Sequence, residues 1–463
     1  MIPDSRLILT LEMHEQAQHH LFPGDGLEAA AIVVCARAPG PRVRLLARFL
    51  LPIPHEHCER KMHYLRWPGS AIEEAIDLAE GDHLSLILLH SHPGGYFAFS
   101  SVDDESDQVT MPSLFNAIDV CHGSAIMVPD GAVLARLYKP DMTSQQLESV
   151  AVPGHDLKWW WADGKFARRP MAFTSDATRE LGRLRAGVIG VSGTGSMIAE
   201  QAARLGFGEV LLMDFDHAET HNLNRILNAT LADAEELKPK VHIFERAITA
   251  YRGSGVAIAH EGAITERSGV LEASQCDVLF CCVDTRDARQ FADLIASAFL
   301  IPLFDLGVSI PTHKSPDGNA AILDVCSRID YVRPGGPTLH DRQVYTQAGL
   351  REEQLGRCNP DAHKQEIDAG YIRGVQEEAP SVITLNMRAA ADTMMEFLMR
   401  IHPFRHDGNR GYARRELSVA AAEEEFFPES KFLRTANPML AHGDKEPLLM
   451  IAKLTEPKVA NLC

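Results

Sequence analysis

At 463 residues with 45% hydrophobic side chains, the chain is long for one domain and predicts two or three, each with its own core. A formal net charge of −18 argues against nonspecific nucleic-acid binding, and no apolar run reaches the roughly 20 residues needed to cross a membrane. No N-terminal signal sequence is visible, and the nine cysteines form no C-x-x-C pair, so no disulfide framework is expected and a reducing cytoplasm is the default compartment.

Residues 1 to about 150 alternate short apolar strands with helical stretches. Ala29–Ala36 reads as a strand, and so does Leu84–Leu89. The second run leads into His90-Ser-His92-Pro, followed by Ser100 and Asp103. Two imidazoles at i and i+2 share one face of a strand end. A carboxylate about a dozen residues on can fold back to the same point. Three N and O ligands with an open fourth position suit a catalytic zinc that holds a water.

This spacing resembles the motif of the JAB/JAMM metalloproteases, which cut peptide or isopeptide bonds after ubiquitin-like proteins. The resemblance implies an α/β zinc-peptidase domain over residues 1–150, with His90, His92 and Asp103 on the metal. Ser100 would donate a hydrogen bond to the tetrahedral oxyanion. It also implies an upstream glutamate, at the start of an early strand, as general base. Glu28, directly before the strand Ala29–Ala36, is the choice. Glu56 and Glu59 are its rivals, in a His- and charge-rich stretch that reads as a loop.

Residues 151–180 read as a connector, with Pro153, the cluster Trp159–Trp161 and the basic Arg168-Arg169-Pro170. From 181 to 405 the pattern is strand, glycine turn, helix, strand, repeated. It predicts a doubly wound α/β domain with a mainly parallel sheet. Gly187–Val191 reads as a strand, and Gly190, Gly193 and Gly195 make a G-x-x-G-x-G turn. A helix from Ser196 would offer bare N–H groups and a positive dipole end to phosphate. The next strand ends in Asp214, where an acidic side chain can hydrogen-bond ribose. On the glycines alone this is equally an NAD site. Asp214-Phe-Asp216, Asn222-Leu-Asn-Arg225 and Lys238-Pro-Lys240 change that reading. Attack on the α-phosphate of ATP needs such cationic clamps, and NAD binding does not.

Together with the glycine loop, D-x-D followed by N-L-N-R resembles the adenylation domain of ubiquitin-activating enzymes and of the ThiF-type enzymes that activate sulfur carriers. The resemblance implies a Rossmann-like, ATP- and Mg2+-dependent domain. Asp214 would hold the ribose, Asn222 and Arg225 would contact phosphates, and Lys240 would neutralise the α-phosphate, with Lys238 as the rival lysine. Asp284 matches the magnesium-side aspartate, with Asp287 the alternative, and Arg289 matches the arginine that follows. Ser192 stands where the family usually has a glycine, and serine fits there if φ is negative. No structural zinc is expected in this domain. Cys358 is the one cysteine inside the long connection where the family keeps its nucleophile, while Cys281, Cys282 and Cys326 read as core. Met387, Met394, Met395 and Met399 follow helical spacing and also read as core. Such domains are usually dimeric, and Arg168 or Arg169 is a candidate arginine finger. The last stretch, 406–463, reads as an extension that wraps back onto the second domain, with an acidic patch at Glu423–Glu425.

The two resemblances imply that both halves would act on one feature, the C-terminus of a ubiquitin-like protein. The fusion resembles proteins of bacterial ubiquitin-like modification operons, with a conjugating enzyme as a further partner. Two rival readings are a sulfur-carrier-activating enzyme whose peptidase processes the carrier, and a scaffold with one inactive half that only binds a ubiquitin-like protein.

Overall fold

The computed structural model describes residues 4–163, 170–314, 320–359 and 382–456. They fall into two compact units.

The first unit holds the described residues up to Asp163 together with Ser297–Leu300 and 437–456. Its strands are β1 (Ser5–Ile8), β2 (Ala30–Arg37), β3 (Val43–Pro52), β4 (Glu59–Lys61), β5 (Tyr64–Arg66), β6 (Ser85–Ser91), β7 (His122–Met127), β8 (Val133–Tyr138), β9 (Ser144–Gln146), β10 (Ser149–Pro153) and β11 (Leu157–Trp161). Its helices are α1 (Leu11–Leu21), α2 (Gly69–Ala79) and α3 (Ser101–Ala117). Nine strands form one sheet in the order β11-β10-β1-β3-β2-β6-β7-β8-β9, and β4 and β5 make a separate hairpin. The central strand β2 is a β-branched and alanine run buried along nearly its whole length. That is the pattern of a strand covered on both faces.

The second unit runs from 170 to 296 and from 301 to 436. It contains α4 (Ser175–Leu181), β12 (Arg185–Ile189), α5 (Gly193–Leu205), β13 (Glu209–Met213), α6 (Leu231–Glu235), α7 (Lys240–Arg252), β14 (Ala257–His260), α8 (Arg267–Ala273), β15 (Val278–Cys281), α9 (Arg286–Ala298) and β16 (Leu303–Ser309). There follow the short ribbon β17 (Thr312–Lys314) with β18 (Ala320–Ile322), then β19 (Cys326–Val332), α10 (Gln347–Cys358), α11 (Ile383–Ile401), β20 (Arg414–Ser418) and β21 (Glu423–Phe427). The sheet order is β14-β13-β12-β15-β16-β19-β20-β21. The first five strands are parallel and the last three antiparallel. The chain leaves β12 toward β13 and β14, then returns on the other side to β15 and β16. The switch point lies between β12 and β15, where doubly wound sheets bind ligands.

Four expectations change. The Trp159–Trp161 segment is not a connector: it is β11, paired with β10 in the first sheet, with Trp161 buried. The C-terminal stretch divides, for β20 and β21 extend the second sheet whereas 437–456 belongs to the first unit. There Asp444 N donates to Arg37 O at 2.8 Å and Lys445 pairs with Asp82. Of the four methionines read as core, only Met394 is fully buried, and Met387 and Met395 are exposed on α11. Cys326 opens β19 half-buried, not in the core, and Cys282 is also half-buried. Arg168 and Arg169 lie outside the described residues.

Candidate active sites

In the first unit, the end of β6 carries His90 and, one residue past it, His92. Helix α3 supplies Asp103 from its first turn. Ser100 caps that helix in a reciprocal box: its hydroxyl accepts from Asp103 N at 3.2 Å, and Ser100 N donates to the Asp103 carboxylate at 2.6 Å. The box orients the carboxylate toward the histidines. His90 Nε2 lies 3.1 Å from His92 Nε2 and 3.0 Å from Asp103 Oδ1, and His92 Nε2 lies 3.5 Å from Asp103 Oδ2. A tetrahedral zinc with bonds near 2.0–2.1 Å wants its ligand atoms about 3.3 Å apart, so this donor set suits zinc. Its tautomers suit it too. His92 Nδ1 meets the Tyr96 carbonyl at 2.7 Å, and a carbonyl only accepts. Nδ1 therefore carries the proton and Nε2 presents its lone pair. Among the described residues, these three form the one cluster able to hold a metal. Burial works to raise the Asp103 carboxyl, but the His90 and His92 hydrogen bonds prevail and hold it well below the usual carboxylate range. Burial likewise works to lower His92, and Asp103 and the Tyr96 carbonyl raise it on balance.

Glu28 lines the same cleft as His90, His92, Ser100 and Asp103, a cavity of about 380 Å3. Burial, with Asp103 adding to it and His92 opposing, pushes its carboxyl up to about 7. That value suits a group that both takes and returns a proton near neutrality. Glu28 is fixed by its backbone. Its N–H donates to Lys61 O at 3.0 Å and its carbonyl accepts from Arg60 Nε at 2.7 Å. Next to it, Ala29 N donates to Ser91 Oγ at 2.9 Å, so the residue between the two histidines ties the glutamate segment to the strand end that carries them. Glu56 and Glu59 are exposed, and neither lines the cleft.

Sequence reasoning missed the β4–β5 hairpin. It contributes His63, Tyr64 and Arg66 to the cleft wall, from the stretch read as a loop. It also missed Ser91. The only signal for that serine was its position inside H-x-H.

In the second unit, β12 ends at Ile189 and Gly190 turns the chain with φ +83. Helix α5 then starts at Gly193, three residues before the Ser196 expected, so the last two glycines lie inside its first turn. Ser192 has φ −105, an ordinary value for serine. Gly195 is required by close approach, because a Cβ there would stand 1.7 Å from Gly190 O. The atom it would meet is backbone and cannot swing aside. Gly195→Ala is expected to abolish ATP binding and to destabilise the unit by about 1–3 kcal/mol, read by calorimetric titration and thermal unfolding. Arg225 comes to this loop, its Cδ 3.7 Å from where a Cβ on Gly193 would be. Asn386 of α11 reaches the same glycine and was not foreseen, because it lies nearly two hundred positions away in a helix read as packing alone.

The structure commits several of these side chains to local bonds. Asp214 is buried at the end of β13, and its two oxygens accept from Val191 N at 2.7 Å and Asp216 N at 2.9 Å. Burial raises its carboxyl, against Lys240 and these two bonds. Asn222 is buried, and its Oδ1 accepts from Glu219 N at 3.2 Å, closing the turn that presents Arg225. Lys240 opens α7 with its ammonium 2.9 Å from Asp216 Oδ2. Lys238 pairs at 3.8 Å with Asp233, away from Asp216. Asp284 stands exposed just beyond β15. Asp287 is engaged by Arg357 at 3.3 Å and Arg289 by the buried Asp305 at 3.1 Å. Cys358 is exposed at the end of α10.

Residues 9–147 match the family described as prokaryotic homologs of the JAB domain, and residues 166–321 match the ThiF family. Among curated proteins, ubiquitin-like modifier-activating enzyme 5 of Caenorhabditis briggsae is 29% identical over 163 residues, 32% of this chain and 33% of that protein. The tRNA threonylcarbamoyladenosine dehydratase of Bacillus subtilis is 33% identical over 104 residues, 22% of this chain and 40% of that protein. The chain thus spans well under half the length of these relatives. Among solved structures, E. coli MccB with ATP is 13% identical, with a TM-score of 0.43 over 57% of this chain and 68% of that one.

Proposed function

Since the chain joins a domain of the prokaryotic JAB homologs to a domain of the ThiF family, we propose that it adenylates the C-terminus of a ubiquitin-like protein with ATP and cleaves peptide or isopeptide bonds after that same protein. The cleft that gathers Glu28 beside His90, His92 and Asp103 carries the reading. The names of its relatives among modifier-activating enzymes support the adenylation half.

For cleavage, His90, His92 and Asp103 would hold zinc. A zinc ion so held would supply Lewis acidity to the scissile carbonyl and lower the pKa of a water toward neutrality. Glu28 takes the proton of the attacking water and returns it to the leaving amine nitrogen as the C–N bond breaks. The Ser100 hydroxyl accepts from Asp103 N and keeps its own hydrogen for the oxyanion.

For adenylation, the terminal carboxylate oxygen attacks the α-phosphorus of ATP, and the bond to the β-phosphate breaks to release pyrophosphate. The first turn of α5 and Arg225 hold the phosphates, Asp214 the ribose, and Lys240 the pentavalent centre. Asp284 would face a magnesium ion that neutralises pyrophosphate. Transfer of the acyl group to Cys358 or to a conjugating enzyme follows, and a homodimer is the working assembly. Among the described residues no helix is long and apolar enough to cross a membrane.

His92→Ala is expected to lower bound zinc from about one per chain to none, since one of three protein ligands is gone; metal analysis of the purified protein reads it. A second experiment joins the halves. A modifier precursor with residues after its final glycine has its reacting carboxylate tied up as an amide. Wild-type protein should adenylate it after a lag, while Glu28→Ala should adenylate only a pre-trimmed modifier, at an unchanged rate. Equal handling of both forms by that variant would mean that the peptidase serves deconjugation, not maturation. Failure of the pre-trimmed modifier to support pyrophosphate exchange with wild-type protein would remove the adenylation half.

A further inference from the structure

The sheet face that carries His90 bears a second row of side chains just below it. In the register of β6, β7 and β8, His90 pairs with Ile126 and Ile126 with Leu134, while Leu88 pairs with Ser124 and Ser124 with Arg136. Residues two apart on a strand point to one face. Leu88, Ser124 and His90 accordingly all line the cleft, and α3 packs over it against β7. Four residues of helix advance about 6 Å, and two residues of strand about 6.6–6.8 Å. The two periods nearly match. With Asp103 at the level of His90, Asp107 falls at the level of Ser124 and Arg136.

That lower row is bonded throughout. Asp107 is buried and accepts from the Ser124 hydroxyl, from Arg136 Nε at 3.1 Å and from Arg136 Nη2 at 2.7 Å. Arg136 is itself 8% exposed and also donates through Nη1 to Asp104. Its guanidinium lies 3.9 Å from the ring centre of Phe99, the residue before the Ser100 cap. One side chain on β8 therefore holds α3 at Asp104 and Asp107, just beyond Asp103, and touches Phe99 in the segment that leads into the helix. The capping box fixes the Asp103 carboxylate relative to its own helix, but nothing in it fixes the helix relative to the sheet.

We infer that Arg136, acting through Asp104, Asp107 and Ser124, is a positioning residue that sets the register of α3 on the sheet and so delivers Asp103 to His90 and His92. The inference rests on the metal-centre reading given under Proposed function. Buried ion networks rarely repay their desolvation in stability, and their best-attested use is to select one register.

The test measures zinc affinity in the full chain by competition with a chromophoric chelator, beside thermal unfolding of the zinc-free protein. Arg136→Met is expected to weaken zinc binding by about 10–100-fold, the usual cost of losing a group that orients a metal ligand. Arg136→Lys keeps the charge but cannot serve Asp104 and Asp107 together, so it should recover part of that loss. A purely structural role would lower the unfolding temperature and leave the affinity of the folded protein alone. A folded Arg136→Met variant with wild-type zinc affinity overturns the inference. If that variant does not fold, Arg136→Lys decides, and wild-type affinity there overturns it equally. Undiminished zinc in His92→Ala would instead sink the metal centre itself.

Discussion

Glu28→Gln should abolish cleavage of a modifier–peptide fusion, by about 10²–10⁴-fold in kcat, while zinc content stays at the wild-type level. Glutamine is nearly isosteric and keeps the backbone bonds to Arg60 and Lys61 that hold residue 28 in place. It cannot accept a proton and pass it on. Burial keeps the native carboxyl near 7, so the wild-type group takes and gives up a proton with similar ease, and that is the property removed. Retained zinc is the other half of the result, because Glu28 lies outside the ligand cluster. A variant that loses zinc would make Glu28 a ligand. A variant that cleaves normally would pass the base role to another group. Glu56→Gln and Glu59→Gln, exposed and away from the cleft, serve as controls and should cleave like wild type.

Arg225→Ala and Lys240→Ala are each expected to cut ATP–pyrophosphate exchange by about 10²–10³-fold with the cognate modifier present, the range for removing one preorganised charged donor. The two should differ in origin. Arg225 donates to the His221 carbonyl and the Asn224 side-chain oxygen, both neutral, so its charge is left for phosphate. Lys240 is already paired with Asp216, and it must share that ammonium with the nucleotide. The Arg225 variant should therefore lose more ATP affinity, and the Lys240 variant more kcat. Asp216 is 53% exposed at its side chain, so water can replace its partner and neither variant should unfold. NAD should neither bind nor compete in calorimetric titration. Tight NAD binding without exchange would refute the adenylation reading.

The convergence of His90, His92 and Asp103 was legible because its parts are local. His90 and His92 leave one strand end, and Ser100 with Asp103 spell both a ligand and a helix cap, so one S-x-x-D pattern serves two physical needs. Glu28 came from resemblance to a family. Its place in the cleft depends on the β4–β5 hairpin, whose three-residue strands are too short and too exposed to leave a periodic trace. The glycine turn was legible for a similar local reason, though its helix begins earlier than expected because Gly193 and Gly195 were read as loop. Trp159–Trp161 misled as a connector, since an unbroken aromatic run gives no alternation to mark a strand. Asn386 and Arg136 could not be found from spacing at all. Each reaches its site through tertiary packing from a distant element.

The first unit is not a continuous stretch of chain. Its last piece, 437–456, rejoins it after the whole second unit has been traversed, with Asp444 bonded to Arg37 and Lys445 to Asp82. On a ribosome the intervening residues take on the order of 14–55 s to make at about 5–20 residues per second. For that interval the nascent first unit waits without its closing segment, long after its nine strands have emerged. Order of synthesis thus runs one way and order of completion the other: the half that is made first is finished last.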